Sequence, residues 1–247
     1  MPLPILNTSL RHSDVLSVGQ RIALDAGHVR ALRFREINTK EAFTIVDAAG
    51  SFFRASFTTL DGNIGEALVY EAMQTSPESS ADITLMCAVL ARQRMLGVMQ
   101  KATELGVTRI VPVLSERSVQ ADGLDHEKAH AWPGQVLRAA RQCRRASIPE
   151  LCATLPLATA LEDATFREAE RRVYLDDRAP ATGSATTQIN PTRIVLLVGP
   201  EGGFSDAERR VLELRGAEPL RIGGRVLRAE TAVLVGLTLL QHAYGDM

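Results

Sequence analysis

The chain has 247 residues, 45% hydrophobic and 23% charged, which suits a globular protein with one large domain or two. No apolar run approaches the ~20 residues that span a bilayer, and the opening MPLPILNTSLRHSD lacks the basic start and long apolar core of a signal peptide. A formal net charge of −1 means that contact with nucleic acid must come from a local basic patch, and Cys87, Cys143 and Cys152, with no C-x-x-C, read as reduced thiols of a cytoplasmic protein.

Residues 1 to about 74 favour strands. EAFTIVDAAG (41–50) and SFFRASFTTLDGNIGEALVYEAM (51–73) carry Phe, Thr, Val and Tyr in short runs broken by Ala-Gly and Asp-Gly turn signals, the pattern of a small β-barrel. The polar stretch QTSPESSAD (74–82) reads as a linker. From 75 to 247 apolar runs alternate with helical patterns: ITLMCAVL, a helix through MLGVMQKATELG, RIVPVLS, a long helix to about Arg145, RRVYLDD, RIVLLVG, a helix from Asp206, PLRIG, and a last helix to about Tyr244. This alternation predicts an α/β domain whose parallel sheet is covered by helices on both faces. Such sheets bind ligands at the C-terminal ends of their strands. The last helix is apolar on nearly every face, so it is expected in the core or against a partner.

Two glycine-rich segments follow strands. LLVGPEGGFSDAE (196–208) has neither the Gly-Lys-Ser/Thr of a P-loop nor the G-x-G-x-x-G of a dinucleotide turn. Ser205 and Glu208 match a capping box. Taken alone, the segment reads equally well as a plain strand-to-helix turn. RIGGRVLRAETAVLVG (221–236) repeats the pattern, with Arg225, Arg228 and Glu230 beside the last helix. Two such strand ends suggest paired loops whose bare backbone approaches one ligand. HEKAH (126–130) matches the H-E-x-x-H of zinc proteases, but Asp125 reads as an N-cap, Pro133 follows at once and no third ligand is at hand, so no metal is expected.

LLVGPEGGFSDAE together with RIGGRVLRAETA closely resembles the SPOUT methyltransferases, in particular the group that methylates N3 of a uridine in 16S ribosomal RNA. MQKATELGVTRIVPVLSERS (99–118) resembles a third block of that family, and HVRALRF (28–34) its N-terminal block. The sequence departs from the family pattern at RQCRR (141–145) and at REINTKE (35–41). The resemblance implies a PUA-like barrel, a C-terminal parallel-sheet domain with a trefoil knot, S-adenosyl-L-methionine as methyl donor, a homodimer, and 16S ribosomal RNA of the small subunit as partner. It implies a donor pocket formed by Leu175, Val198, Gly199, Pro200, Glu201, Gly202, Ile222, Gly223, Val226 and Leu227. Thr231 is either a helix cap or a donor contact.

Arg225, Arg228 and Glu230 have two readings. In one, an arginine stabilises the uridine anion while Glu230 or Glu201 orients it or takes a proton. In the other, an Arg–Glu pair braces the loop against the last helix. Arg138, Arg141 and Arg145 fall, at ~100° per residue, in a narrow sector opposite Ala129, Trp132, Val136, Ala140 and Cys143. With the cluster His28, Arg30, Arg33 and Arg35, they are the expected RNA contacts. Alternatives are a SPOUT enzyme with another RNA target and a non-catalytic RNA-binding module.

Overall fold

The computed structural model describes residues 9–180 and 191–247, so the first eight residues of the stretch read for a signal peptide lie outside it. The chain forms two compact units, the first reaching to Glu78 and taking in Leu137–Ile148, the second comprising Ser79–Val136 and Pro149–Met247. The boundary falls inside the polar stretch read as a linker. Leu137–Ile148, by contrast, was assigned to the second domain by sequence.

In the first unit, β1 (Arg21–Leu24), β2 (Ala42–Val46), β3 (Phe52–Asp61) and β4 (Ile64–Ala72) make an antiparallel sheet in the order β1-β4-β3-β2. β3 and β4 are joined through Gly62-Asn63, with Gly62 at φ +59°, and the pairing is irregular at Arg54/Ala55 and Phe57/Thr59. Gly65 lets the strands close there, because a Cβ would lie 2.7 Å from the Phe57 ring. Helix α1 (Ala26–Phe34) interrupts the expected run of strands. Val29 and Leu32, three residues apart, face the core, and the Asp25 carboxylate caps the helix by accepting from His28 N. Leu24, Leu32, Ile45, Phe57 and Val69 form the core of this unit.

The second unit is built on a wholly parallel seven-stranded sheet. Its strands are β5 (Asp82–Ala88), β6 (Arg109–Leu114), β7 (Glu150–Leu151), β8 (Leu155–Pro156), β9 (Arg171–Leu175), β10 (Arg193–Val198) and β11 (Glu218–Leu220). Their order is β11-β9-β10-β5-β6-β7, with β8 also pairing β6. β5 and β10 are central and buried beyond their first residue, which is why they read as unbroken apolar runs rather than alternating ones. The helices are α2 (Arg92–Glu104), α3 (Trp132–Gln142), α4 (Leu157–Ala160), α5 (Ala164–Arg167), α6 (Asp206–Leu214) and α7 (Ala229–Tyr244), α3 passing into the first unit at Leu137.

Two helical expectations are corrected. Residues 126–130 are turn and the start of a 3-10 turn, with Lys128 left-handed at φ +56°, so the two histidines of HEKAH share no α-helical face. Helix α3 also stops at Gln142, and Arg144 takes φ +63°, so Arg145 does not continue the arginine sector of that helix. The last helix buries Val233, Leu237 and Leu240 but leaves Leu239 exposed.

Candidate active site

The loop leaving β10 is shaped by its glycines. Gly203 N donates to Pro200 O at 2.8 Å, and Gly203 is left-handed at φ +67°. A Cβ on Gly199 would sit 3.0 Å from Phe204 N and 3.2 Å from Gly203 C, backbone atoms that cannot rotate away. The chain then enters α6 through a complete capping box, Glu208 N donating to Ser205 Oγ and Ser205 N to Glu208 Oε2. The other Glu208 oxygen accepts from Glu116 N at 2.8 Å, and Arg117 donates to Gly202 O at 2.9 Å. Phe204 is buried edge-on against Tyr174. The loop is thus held from the segment after β6 and from the core beneath.

The second loop, from Arg221 to Arg228, has few such supports. Gly223 is left-handed at φ +66°, yet a Cβ there would meet nothing within 4 Å. Its carbonyl accepts from Arg221 Nε at 3.2 Å. Arg228 takes the N-cap position of α7 without a side-chain cap bond, which removes the reading of Thr231 as the cap.

These loops and the end of β9 enclose a cavity of about 190 Å³. Leu175, Val198, Gly199, Pro200, Glu201, Gly202, Ile222, Val226 and Leu227 line it, as does Arg225. Gly223, Thr231, Arg228 and Glu230 lie outside the lining. The sequence reading missed Asp176, Asp177, Arg178, Gly203, Arg209, Leu220, Ala229 and Ala232. The acid pair closing RRVYLDD, directly after Leu175 at a strand's C-terminal end, was the available signal. Asp176 N donates to Leu220 O at 3.1 Å, tying the strand ends, and its nearly buried carboxylate faces Arg209 Nε at 3.8 Å.

The charge arrangement differs from the expected one. Arg94, near the start of α2, pairs with Glu201 at 2.5 Å and lies 3.8 Å from Glu230. Its guanidinium is held above its usual pKa, first by the hydrogen bond to Glu201 and further by that residue's charge. Among the described residues Arg225 and Arg228 make no ion pair, and it is Arg94 that bridges Glu201 of the loop after β10 to Glu230 of the last helix. Glu230 Oε2 is buried with no hydrogen-bond partner among the described residues.

The expected RNA contacts all belong to the first unit. Arg30 and Arg138 are exposed. His28 is held between Asp25 Oδ1 and Arg11 O, each at 2.7 Å, and Arg33 donates to Asn63 Oδ1 and Gly62 O. Arg141 pairs with Glu41 at 3.0 Å. Arg145 is a correction: its side chain is only 3% exposed, and Nε and Nη2 both donate to Glu78 Oε2. Glu78 also accepts from Ala146 N, Ser147 N and Ser147 Oγ, so Arg145 belongs to a buried latch rather than to a basic surface. Arg35 is buried as well, and desolvation lowers its pKa to about 10 despite the opposing pull of Glu78.

Comparison with known proteins adds to this geometry. A model of the RNA methyltransferase domain matches residues 77–241. Ribosomal RNA small subunit methyltransferase E of Aquifex aeolicus is 28% identical over 225 residues, covering 91% of this chain and 95% of its own. A Legionella pneumophila protein described as a methyltransferase, solved with bound cofactor SAM, shares 30% identity at a TM-score of 0.69 over 96% of this chain and 98% of its own. Ribosomal RNA small subunit methyltransferase E of Neisseria gonorrhoeae, bound to S-adenosyl methionine, is 28% identical with a TM-score of 0.69, covering 97% and 99%.

Proposed function

The chain belongs to the RNA methyltransferase domain family, with the SPOUT fold, and on that premise we propose that it is an S-adenosyl-L-methionine-dependent methyltransferase of small-subunit ribosomal RNA, acting on N3 of one uridine in 16S RNA. The observation that carries this reading is the cavity at the C-terminal strand ends, lined by the glycine loop after β10, the Arg221–Arg228 loop and Leu175.

The lining fits the donor. Leu175, Val198, Ile222, Leu227 and Ala232 supply apolar walls for a flat ring. Backbone groups of the Gly199–Gly203 turn and the carboxylates of Glu201 and Asp177 supply acceptors for hydroxyls and for a cationic end. When bound, the donor supplies an electrophilic methyl on a sulfonium sulfur. The chain's own work is to hold acceptor and donor in line in a dry pocket, which lowers barriers by about 7–11 kcal/mol in favourable cases. Arg225, in the lining and without an ion pair, stabilises negative charge on the uridine. Arg228 supports it from the rim. Glu230, through its unpartnered Oε2, accepts the N3 proton, and Arg94 positions Glu201 and Glu230.

The wider reading includes a trefoil knot at the cavity, a PUA-like first unit that presents RNA, and a homodimer. Exposed Leu214, Val211 and Leu239 on α6 and α7 favour a second copy. Arg30 and Arg138, exposed on the first unit, suit phosphate contacts within the small subunit. A cytoplasmic location belongs to the same reading, and among the described residues no helix is long and apolar enough to cross a membrane. Purified protein with isotopically labelled donor and small subunits from a strain lacking the gene tests the proposal. Mass spectrometry should find one methyl on one 16S uridine, and unlabelled RNA would refute it.

A further inference from the structure

The first unit contains a small cavity, of about 20 Å³, with an unusual lining. Arg35, Arg54, Arg141 and Arg145 border it together with Thr44 and apolar side chains, and no acid does. Arg141 pairs with Glu41 and Arg145 with Glu78, both outside the lining, and Arg35 also feels the charge of Glu78. Arg54 is different. It lies between β2 and β4, 8% exposed, and its Nη1 donates to Thr44 Oγ1 at 2.9 Å, which passes the bond on to Arg144 O at 2.8 Å. Its Nε is buried and has no hydrogen-bond partner among the described residues. No ion pair of Arg54 exists among the described residues, and residues 1–8 and 181–190 contain no Asp or Glu to supply one.

Burying a guanidinium away from water is tolerated when an opposite charge accompanies it. A cavity of this size holds one water-sized particle. Water would accept the Nε hydrogen bond but bring no charge, whereas a monatomic anion does both. We propose that this cavity is a structural site for one small inorganic anion of chloride size, held by Arg54 Nε and by the positive field of Arg35 and its neighbours. The ion ties β2 and β3 to the Arg144 turn, and so stabilises the unit that carries the exposed arginines.

Thermal unfolding of the full chain in sodium chloride and in sodium gluconate at one ionic strength tests this. Chloride should raise the melting temperature by about 2–4 °C, since a ligand bound by the native state alone stabilises it by mass action. Arg54→Gln should abolish that increment. Equal melting in both salts, or an increment that survives in Arg54→Gln, overturns the proposal. If that variant does not fold, wild-type crystals grown in bromide decide the question. An anomalous peak within hydrogen-bond reach of Arg54 Nε supports the site, and density there without anomalous signal refutes it.

Discussion

The two loops that border the candidate donor cavity share a composition and differ in construction. The loop from Gly199 to Ser205 is closed by a turn, a capping box and bonds from Glu116 and Arg117, and it rests on buried Phe204. The loop from Arg221 to Arg228 exposes Val226 to 81% and leaves Gly223 and Gly224 free of neighbours where a Cβ would stand. Glycine therefore does two jobs. In the first loop Gly199 is needed because backbone is in the way; in the second Gly223 is needed only for its left-handed φ. A preformed loop suits the donor, and an open one carrying Arg225 and Arg228 suits an RNA base that must be turned out of its stack to arrive.

The sharpest way to break this contrast is Gly199→Ala. With a Cβ 3.0 Å from Phe204 N, the first loop must shift, at a cost of about 1–3 kcal/mol typical of overpacking. Affinity for S-adenosylhomocysteine should fall more than tenfold by calorimetry, with a melting temperature lower by several degrees. Next comes Arg225→Ala, which should cut kcat by about 100-fold and leave donor affinity within threefold, as expected of a group acting on developing charge. Arg228→Ala, outside the lining, should lose less.

Arg94→Gln should lower kcat about tenfold with little change in KM, because Arg94 acts through Glu230, and Arg94→Lys should recover part of it. Equal loss in both variants, or a matching fall in melting temperature, would make the pair a brace only. Gly223→Ala should be mild. Its Cβ enters open space, so strain of about 1 kcal/mol is the whole cost, read as a drop of 2–4 °C with affinity nearly unchanged. The smallest effect is chemical. Cys87 pairs in register with Val198 beneath the first loop, and burial pushes its thiol up to about 12. At pH 8 it is protonated and should resist alkylation for hours; rapid labelling would show that this loop opens.

Local pattern carried much of this architecture. The parallel strands read as apolar runs because both faces are covered, and Ser205-x-x-Glu208 announced its helix because a capping box is a short-range device. What failed to read was long-range or conformational. Arg94 meets Glu201 across 107 residues of chain, a pairing that no periodicity encodes. Arg145 looked like the end of a basic helix face until the left-handed Arg144 turned it inward onto Glu78. The acceptor, Glu78, sits in a stretch whose polarity suggested nothing more than a linker. Gly223 looked like Gly199 by sequence, and only the neighbours of the missing Cβ distinguish them.

The central claim is that the donor lies in the cavity bordered by both loops, and calorimetry of S-adenosylhomocysteine with wild type and Leu227→Trp tests it most directly. Leu227 lines that cavity from the open loop, where a larger side chain fills space without displacing a buried core. One molecule should bind each wild-type chain, and Leu227→Trp should weaken binding at least tenfold with an unchanged melting temperature. Equal affinity in the two proteins would contradict the account.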